Sequence, residues 1–194
     1  MKVCLTAKDA LLVVDVQVDF LPGGALAVPE GDKVIPSVNQ YIHVFSEAGL
    51  PVYFTRDWHS HDHLSFKVNG GLWPSHCVAD TAGALFPKEL YLPPDNKYII
   101  SKGVKREFDA YSGFQDTPLL ALLQERGIRR VFVGGLATEY CVKNTVEGAL
   151  NLGFTTIVLE DAIRGIELTP GDCGKVLEGL LASGAIAMMP QDLY

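Results

Sequence analysis

The 194-residue sequence predicts an α/β fold: a single-domain, three-layer α/β/α arrangement around a mostly parallel sheet of about six strands. Short, β-branched apolar segments alternate with helical patterns along the chain. These strand segments are apolar on both faces, which is typical of a parallel sheet covered on both sides. No linker or internal repeat interrupts the alternation, so we expect residues 1–194 to form one domain.

The predicted elements follow in a regular order. The first strand is expected at "ALLVVDV" (10–16), and the spacing of apolar residues in 32–49 predicts the first helix. The other strands are expected at 51–55, 97–101, 130–135, 155–161 and 185–189. The other helices are expected at 116–127, 139–152 and 170–183, and an irregular segment rich in His, Gly and Pro fills 57–96.

The composition of the sequence disfavours some classes of binding partner. The formal charge of −7 and the pI near 5.1 disfavour binding to nucleic acid or to an anionic membrane. No apolar run approaches the roughly 20 residues that span a bilayer, and the start of the sequence lacks a signal peptide's pattern. We therefore expect a cytoplasmic protein. The oligomeric state, a homo-oligomer included, stays open.

Polar residues collect where the predicted strands end. Asp15 follows the first strand, Asp57 and His59 follow the second, Lys102 follows the third and Cys141 lies beyond the fourth. Ligands of open α/β sheets bind beyond the carboxyl ends of the strands. We therefore expect an acid, a metal-type pair, a base and a thiol to meet at one edge of the sheet.

The cysteine at this edge is a candidate nucleophile. The four cysteines form no CxxC pair, which disfavours disulfides and a cysteine-rich zinc site. In the first turn of a helix and near Lys102, the Cys141 thiol would have a lowered pKa, and Asp15 could accept its proton. The glycines of "GGLAT" would let backbone N–H groups face a developing oxyanion. Taken singly, each of the three side chains could instead be structural.

The segments "RDWHSHDHLSF" and "WPSHC" suggest a metal site. Asp57 and His59, two residues apart in an extended segment, can point the same way, and His76 could be a third ligand. Mixed Asp and His ligands with open positions suit Zn²⁺, Fe²⁺ or Mn²⁺ rather than Ca²⁺. His63 could be a ligand, a neighbour of one, or neither. A surface loop that happens to be rich in histidine is the alternative for the whole group.

Two aromatic residues, Phe20 and Trp73, lie in loops that leave the same sheet edge. They could enclose a flat ring, and anchoring of the loops is the alternative. Tyr111 in "AYSGF" is a further candidate for the same role.

In this order, the motifs resemble those of the isochorismatase-like cysteine hydrolases, and among them the nicotinamidase/pyrazinamidase group. "VVDVQVDFLPGGAL" is similar to the opening motif that carries the aspartate, "SKG" to the lysine segment and "GLATEYCV" to the nucleophile motif. "RDWHSHDHLSF" and "WPSHC" resemble the metal-binding segments. The resemblance spans nearly the whole chain. Val18 departs from it, because related sequences often have asparagine there, and we expect only a minor change beside the acid.

The resemblance implies hydrolysis of nicotinamide, a small-molecule substrate, to nicotinate and ammonia in NAD salvage, through a cysteine thioester and with pyrazinamide as a further substrate. Asp15 would be the base, Cys141 the nucleophile and Lys102 the cation that stabilises the anionic partners. The backbone N–H groups of Ala137 and Cys141 would form the oxyanion hole. A cis peptide is expected between Leu136 and Ala137.

The resemblance also implies one divalent metal ion per chain, with zinc expected ahead of iron or manganese. This ion would bind the ring nitrogen, directly or through coordinated water. The ligands carried over are Asp57, His59 and His76. The substrate-binding residues carried over are Phe20, Trp73 and Leu136.

Two other functions stay open at this point. A sibling hydrolase of the same family would act on another small amide or carbamoyl group. In a non-catalytic metal or redox sensor, Cys141 would be oxidised and not acylated, but this function gives Asp15 and Lys102 no reason to converge there. Whether residues 78–96 close the pocket or only cover the sheet is a further open question.

Overall fold

The computed structural model describes residues 2–193, which contain a six-stranded sheet with parallel pairing throughout. Its order is β3-β2-β1-β4-β5-β6. The strands are β1 (Asp9–Val14), β2 (Val52–Asp57), β3 (Lys97–Lys102), β4 (Arg130–Leu136), β5 (Thr155–Arg164) and β6 (Ile186–Met188). The predicted α/β class and the six-stranded parallel sheet are confirmed.

Within residues 2–193, four α-helices cover the two faces of this sheet. They are α1 (Val34–Glu47), α2 (Leu119–Glu125), α3 (Lys143–Asn151) and α4 (Asp172–Ala182). The apolar face of α1 packs in one cluster with Leu11 and Val13, whereas the other three helices share a second cluster with Leu12 and Val14. Alternate β1 residues thus face opposite layers. Across residues 2–193, no helix has the length and apolar character needed to cross a membrane.

The first helix follows directly from its sequence pattern. Val34, Val38, Ile42 and Phe45 recur at helical spacing, and all four are buried. The chain leaves the helix at Gly49, whose φ of +68° is readily adopted by glycine. The apolar stripe of α1 therefore determines both its position and its orientation on the sheet.

The first strand ends earlier than its sequence predicts. The prediction ran to residue 16, but β1 ends at Val14, and Asp15 has a φ of +48°. The Asp15 N–H donates to the carbonyl oxygen of Thr55 at 3.2 Å while the chain turns away from the ladder. The second and third strands run further than predicted, and they end at Asp57 and Lys102.

The neighbours β1 and β4 mark the point at which the sheet changes its direction of growth. From β1 the sheet extends through β2 to β3, and from β4 it extends through β5 to β6. At such a point a crevice opens beyond the carboxyl ends of the two strands. Asp15 follows β1 and Cys141 follows β4, so both border this crevice.

The long connection between β2 and β3 covers the α1 side of the sheet. Asn39 of α1 donates to the carbonyl oxygen of Glu89 and accepts from the N–H of Tyr91, both at 2.8 Å. Ala84 and Leu90 are buried in the same apolar cluster as α1. Residues 78–96 thus cover the sheet, and none of this described segment lines the pocket at the crevice.

Gly135 lies where β4 approaches β1 most tightly. It has a φ of +126°, and a Cβ atom there would lie 2.0 Å from the carbonyl oxygen of Val14. Only a residue without a side chain fits between the two strands at this point. Gly135, the second glycine of the pair, therefore lets the ends of β1 and β4 come together beneath the crevice.

Gly135→Ala is expected to lower the free energy of unfolding by about 3 kcal/mol or more, because the new methyl group must displace the backbone of β1. Gly153→Ala is the matched control, since Gly153 also has a positive φ, +85°, but a methyl group there would have no other heavy atom within 4 Å. The Gly153→Ala variant should lose only about 1 kcal/mol of its free energy of unfolding, the cost of the positive φ alone. Urea unfolding followed by circular dichroism measures both variants, and equal losses would contradict the steric explanation.

Candidate active site

Asp15 is held by the neighbouring strand. The Thr55 hydroxyl donates to Asp15 Oδ1 at 2.6 Å, and the carboxylate is fully buried. This bond leaves Oδ2 facing Lys102, whose Nζ lies 2.9 Å away. One oxygen thus orients the acid, and the other is directed at the lysine.

Lys102 Nζ lies at the centre of the group. It contacts Asp57 Oδ1 at 2.5 Å, Asp15 Oδ2 at 2.9 Å, the Ala110 carbonyl oxygen at 3.0 Å and Cys141 Sγ at 3.4 Å. Burial opposes the charge on this lysine, but the two carboxylates outweigh burial and raise its pKa well above the ordinary value. The raised pKa favours the charged form, so the side chain is a buried ammonium beside the thiol.

Cys141 lies in a π-helical turn, Thr138–Val142, that precedes α3. The Leu136–Ala137 peptide is cis, as expected, and the N–H groups of Tyr140 and Val142 both donate to the Ala137 carbonyl oxygen at 3.1 Å. The predicted helix over 139–152 is thus divided into this turn and α3. Such π-helical turns are often found at functional sites.

The pKa of the thiol differs from the sequence-based expectation. Burial raises the pKa of Cys141 well above its ordinary value, and Lys102 opposes this rise only in part, while Asp15 and Asp57 add to it. The expected lowered pKa is therefore wrong, because burial and the two carboxylates outweigh the effect of Lys102. Burial likewise raises the pKa of Asp15. A carboxylate with a raised pKa is a better acceptor for the thiol proton.

Asp57, His59 and His76 form a second group, whose ligand atoms all lie within 4.8 Å of one another. Asp57 Oδ2 is 3.6 Å from His59 Nε2 and 4.0 Å from His76 Nε2. His59 Nδ1 contacts the Gly103 carbonyl oxygen at 2.9 Å, and His76 Nδ1 contacts that of Pro74 at 2.8 Å. Donation from Nδ1 leaves each Nε2 with a free lone pair, so the three side chains could hold a divalent metal ion.

His63 lies beside this group without belonging to it. Its ring is 4.2 Å from that of His59. Its Nδ1 is 2.8 Å from Ser65 Oγ, and its Nε2 is 3.3 Å from the Phe108 carbonyl oxygen. Both ring nitrogens thus have protein partners, and the group of three close donor atoms does not include His63.

A pocket opens over the thiol and the histidines. Cys141, Asp57, His59 and His76 form its polar floor. Its other lining residues are Phe20, Leu26, Val28, Trp73, Asp109, Ala110, Tyr111, Ala137, Tyr140 and Ile166. Leu136 is not among them, because its side chain is wholly buried in the apolar cluster on the α1 side.

Three aromatic side chains form one wall of this pocket. The Trp73 indole N–H donates to the Tyr111 hydroxyl at 2.9 Å, and the Tyr140 ring meets Trp73 edge-on at 5.1 Å. The predicted residues Phe20 and Trp73 both line the pocket, whereas Tyr140 and Ile166 were missed. Tyr140 could have been found by its position directly before Cys141. Ile166 lies in an exposed connection after β5 and carries no comparable sequence signal.

Comparison with known proteins agrees with this architecture. Residues 9–172 match the isochorismatase domain. The nicotinamidase of Acinetobacter baylyi is 38% identical over 197 residues, which cover 90% of this chain and 89% of the relative. The crystal structure of the pyrazinamidase of Pyrococcus horikoshii in complex with zinc has a TM-score of 0.90 and 47% identity, covering 94% of this chain and 99% of that one.

A second solved structure covers the whole chain. PnC1 from L. infantum in complex with nicotinate has a TM-score of 0.91 and 34% identity, and the match spans 100% of this chain and 99% of that one. Sequence, fold and the order of motifs thus agree along the chain. The chain belongs to the isochorismatase family.

Proposed function

We propose that the chain is a nicotinamidase, an amide hydrolase that converts nicotinamide to nicotinate and ammonia in NAD salvage and also accepts pyrazinamide. One observation carries the proposal: one pocket is lined by a metal-type donor group and by a buried thiol, and that thiol contacts the lysine of a buried acid–lysine pair. The relatives support the substrate, because they include a nicotinamidase, a pyrazinamidase and a nicotinate complex.

The first half of the proposed reaction forms a thioester. Asp15 Oδ2 takes the thiol proton, and Lys102, 3.4 Å from Sγ, stabilises the thiolate. The thiolate attacks the carboxamide carbon, an S–C bond forms, and the carbonyl electron pair moves to oxygen. The backbone N–H groups of Ala137 and Cys141 would hold this oxyanion. Its collapse breaks the C–N bond, and Asp15 returns the proton to the departing ammonia.

The second half releases the acid. Asp15, again a carboxylate, takes a proton from water, and the resulting hydroxide attacks the thioester carbon. The C–S bond breaks, nicotinate leaves and Cys141 recovers its proton. The Lys102 ammonium faces a negative partner in each of these steps, so its charge never has to change.

The metal assignment is the second part of the proposal. Two imidazoles and one carboxylate suit a single zinc ion per chain, ahead of iron or manganese, from the donors Asp57, His59 and His76. When bound, the ion would supply a Lewis acid for the ring nitrogen. Phe20 and Trp73 would then hold the faces of the ring.

We also propose that residues 1–194 act as one catalytic domain in the cytoplasm, without nucleic-acid or membrane partners. The net charge of −7 supports this, because it repels phosphate groups. The continuous sheet supports the single domain, since its strands come from both halves of the chain.

Cys141→Ala is expected to lower kcat for ammonia release from nicotinamide by at least about 10³-fold, because the variant lacks the thiol that forms the thioester. Cys4→Ala, at an exposed cysteine outside the pocket, is the control and should keep wild-type activity. Activity of Cys141→Ala within tenfold of wild type would contradict the assignment of Cys141 as the nucleophile. No ammonia from wild type with any metal would mean that the substrate is wrong, and other amides and carbamoyl compounds should then be screened.

Asp15→Asn preserves the shape of the side chain but removes the proton acceptor, so kcat should fall by about 10²-fold or more. Alkylation of Cys141 by iodoacetamide, followed by mass spectrometry, should continue in the variant. Equal thiol chemistry without turnover in either form would instead favour a redox sensor.

Removal of the metal with a chelator is expected to lower wild-type activity at least about tenfold, and added zinc should restore it. In the His59→Ala variant, added zinc should not restore activity, because one of the three donors is missing. Thiol alkylation is the control, since Cys141 is not a donor of this group. If full activity survives chelation, the thiol chemistry stands and the metal's role in holding the ring is wrong.

A further inference from the structure

Asp19 joins two loops of the site without lining the pocket. Its Oδ1 accepts a hydrogen bond from the N–H of Ala25 at 3.2 Å, and its Oδ2 accepts one from the N–H of Cys77 at 2.7 Å. Cys77 directly follows the donor His76. One carboxylate therefore connects the segment after β1 to the segment that carries the third metal-type ligand.

The backbone of Cys77 is the point at which this connection acts. Its φ of +45° lies in the left-handed region, which a residue with a side chain adopts only when its surroundings hold it there. While Asp19 accepts its N–H, the Cys77 carbonyl oxygen accepts the N–H of His59 at 3.0 Å. Cys77 thus connects the two donors, because it directly follows His76 and is hydrogen-bonded to His59. The distance between His59 and His76 therefore depends on one residue that Asp19 holds.

Packing leaves the Asp19 carboxylate little freedom. A Cβ atom on Gly83 would lie 2.2 Å from Asp19 Oδ2, so the carboxylate rests directly against the backbone there. A closely packed group of this kind cannot shift without moving its neighbours. The Gly83 backbone thus supports the carboxylate on one side, and the N–H groups of Ala25 and Cys77 hold its two oxygens.

We propose that Asp19 is a positioning residue of the metal site, which holds the Cys77 backbone and so places His76 Nε2 opposite Asp57 and His59. The inference rests on the proposed function in one respect, that these three donors bind a metal ion. Groups that orient metal ligands typically change metal affinity by about 10–100-fold when they are removed. Asp19 itself touches neither the ion nor the substrate.

The test compares zinc affinities of metal-free wild type, Asp19→Ala and Asn39→Ala, by competition with a chromophoric chelator. Asp19→Ala should weaken zinc binding by about 10–100-fold. Asn39 is the matched control, because its side chain also makes two backbone hydrogen bonds, to Glu89 and Tyr91 of the same connection, but far along the chain from the donors. Asn39→Ala should therefore lose stability in urea and keep its zinc affinity.

Gly83→Ala provides a second variant should Asp19→Ala fail to fold. Its methyl group displaces the Asp19 carboxylate without removing it, so zinc affinity should fall in the same direction. If wild type binds zinc and the folded variant binds it equally tightly, the proposed role of Asp19 is wrong and the metal assignment is unaffected. Failure of wild type to bind zinc would overturn the metal assignment and this inference together.

Discussion

The structure depends on one buried ammonium between two buried carboxylates. Asp57 and Lys102 are direct partners in the β2–β3 ladder, and Asp15 reaches the same nitrogen from the end of β1. Transfer of each ion from water costs several kcal/mol, which only close, multiply bonded geometry offsets. The ends of β1, β2 and β3 must therefore stay in register, and the bond from Thr55 of β2 to Asp15 serves that requirement.

Asp57 couples the two halves of the site. One of its oxygens contacts Lys102, and the other faces His59 and His76. Burial opposes its ionisation, but Lys102 and His59 outweigh burial and hold the pKa of Asp57 below its ordinary value. A cation bound by the histidines would interact with the same Asp57 carboxylate that holds Lys102. The histidine group and the lysine beside the Cys141 thiol are thus electrostatically connected through one side chain.

Much of this arrangement could be predicted from local patterns. The apolar alternation indicates the strands, and the rule that ligands bind beyond parallel strands places Asp15, Lys102 and Cys141 together. The thiol pKa could not be predicted, because it depends on burial, which only the packed fold determines. The same holds for Gln17, whose amide donates to the carbonyl oxygens of Asp57 and Ala84 and accepts from the Asp57 N–H. Nothing in its local sequence reveals these distant partners.

The Lys102 ammonium occupies a place that a second metal ion could otherwise take. One oxygen each of Asp15 and Asp57, together with Cys141 Sγ, form a donor set that by itself would suit a metal ion, but the ammonium already lies among them. The chain therefore supplies one cation covalently, directly beside the donor group of Asp57, His59 and His76. The thiol thus keeps a positive neighbour whether or not that donor group holds a metal ion.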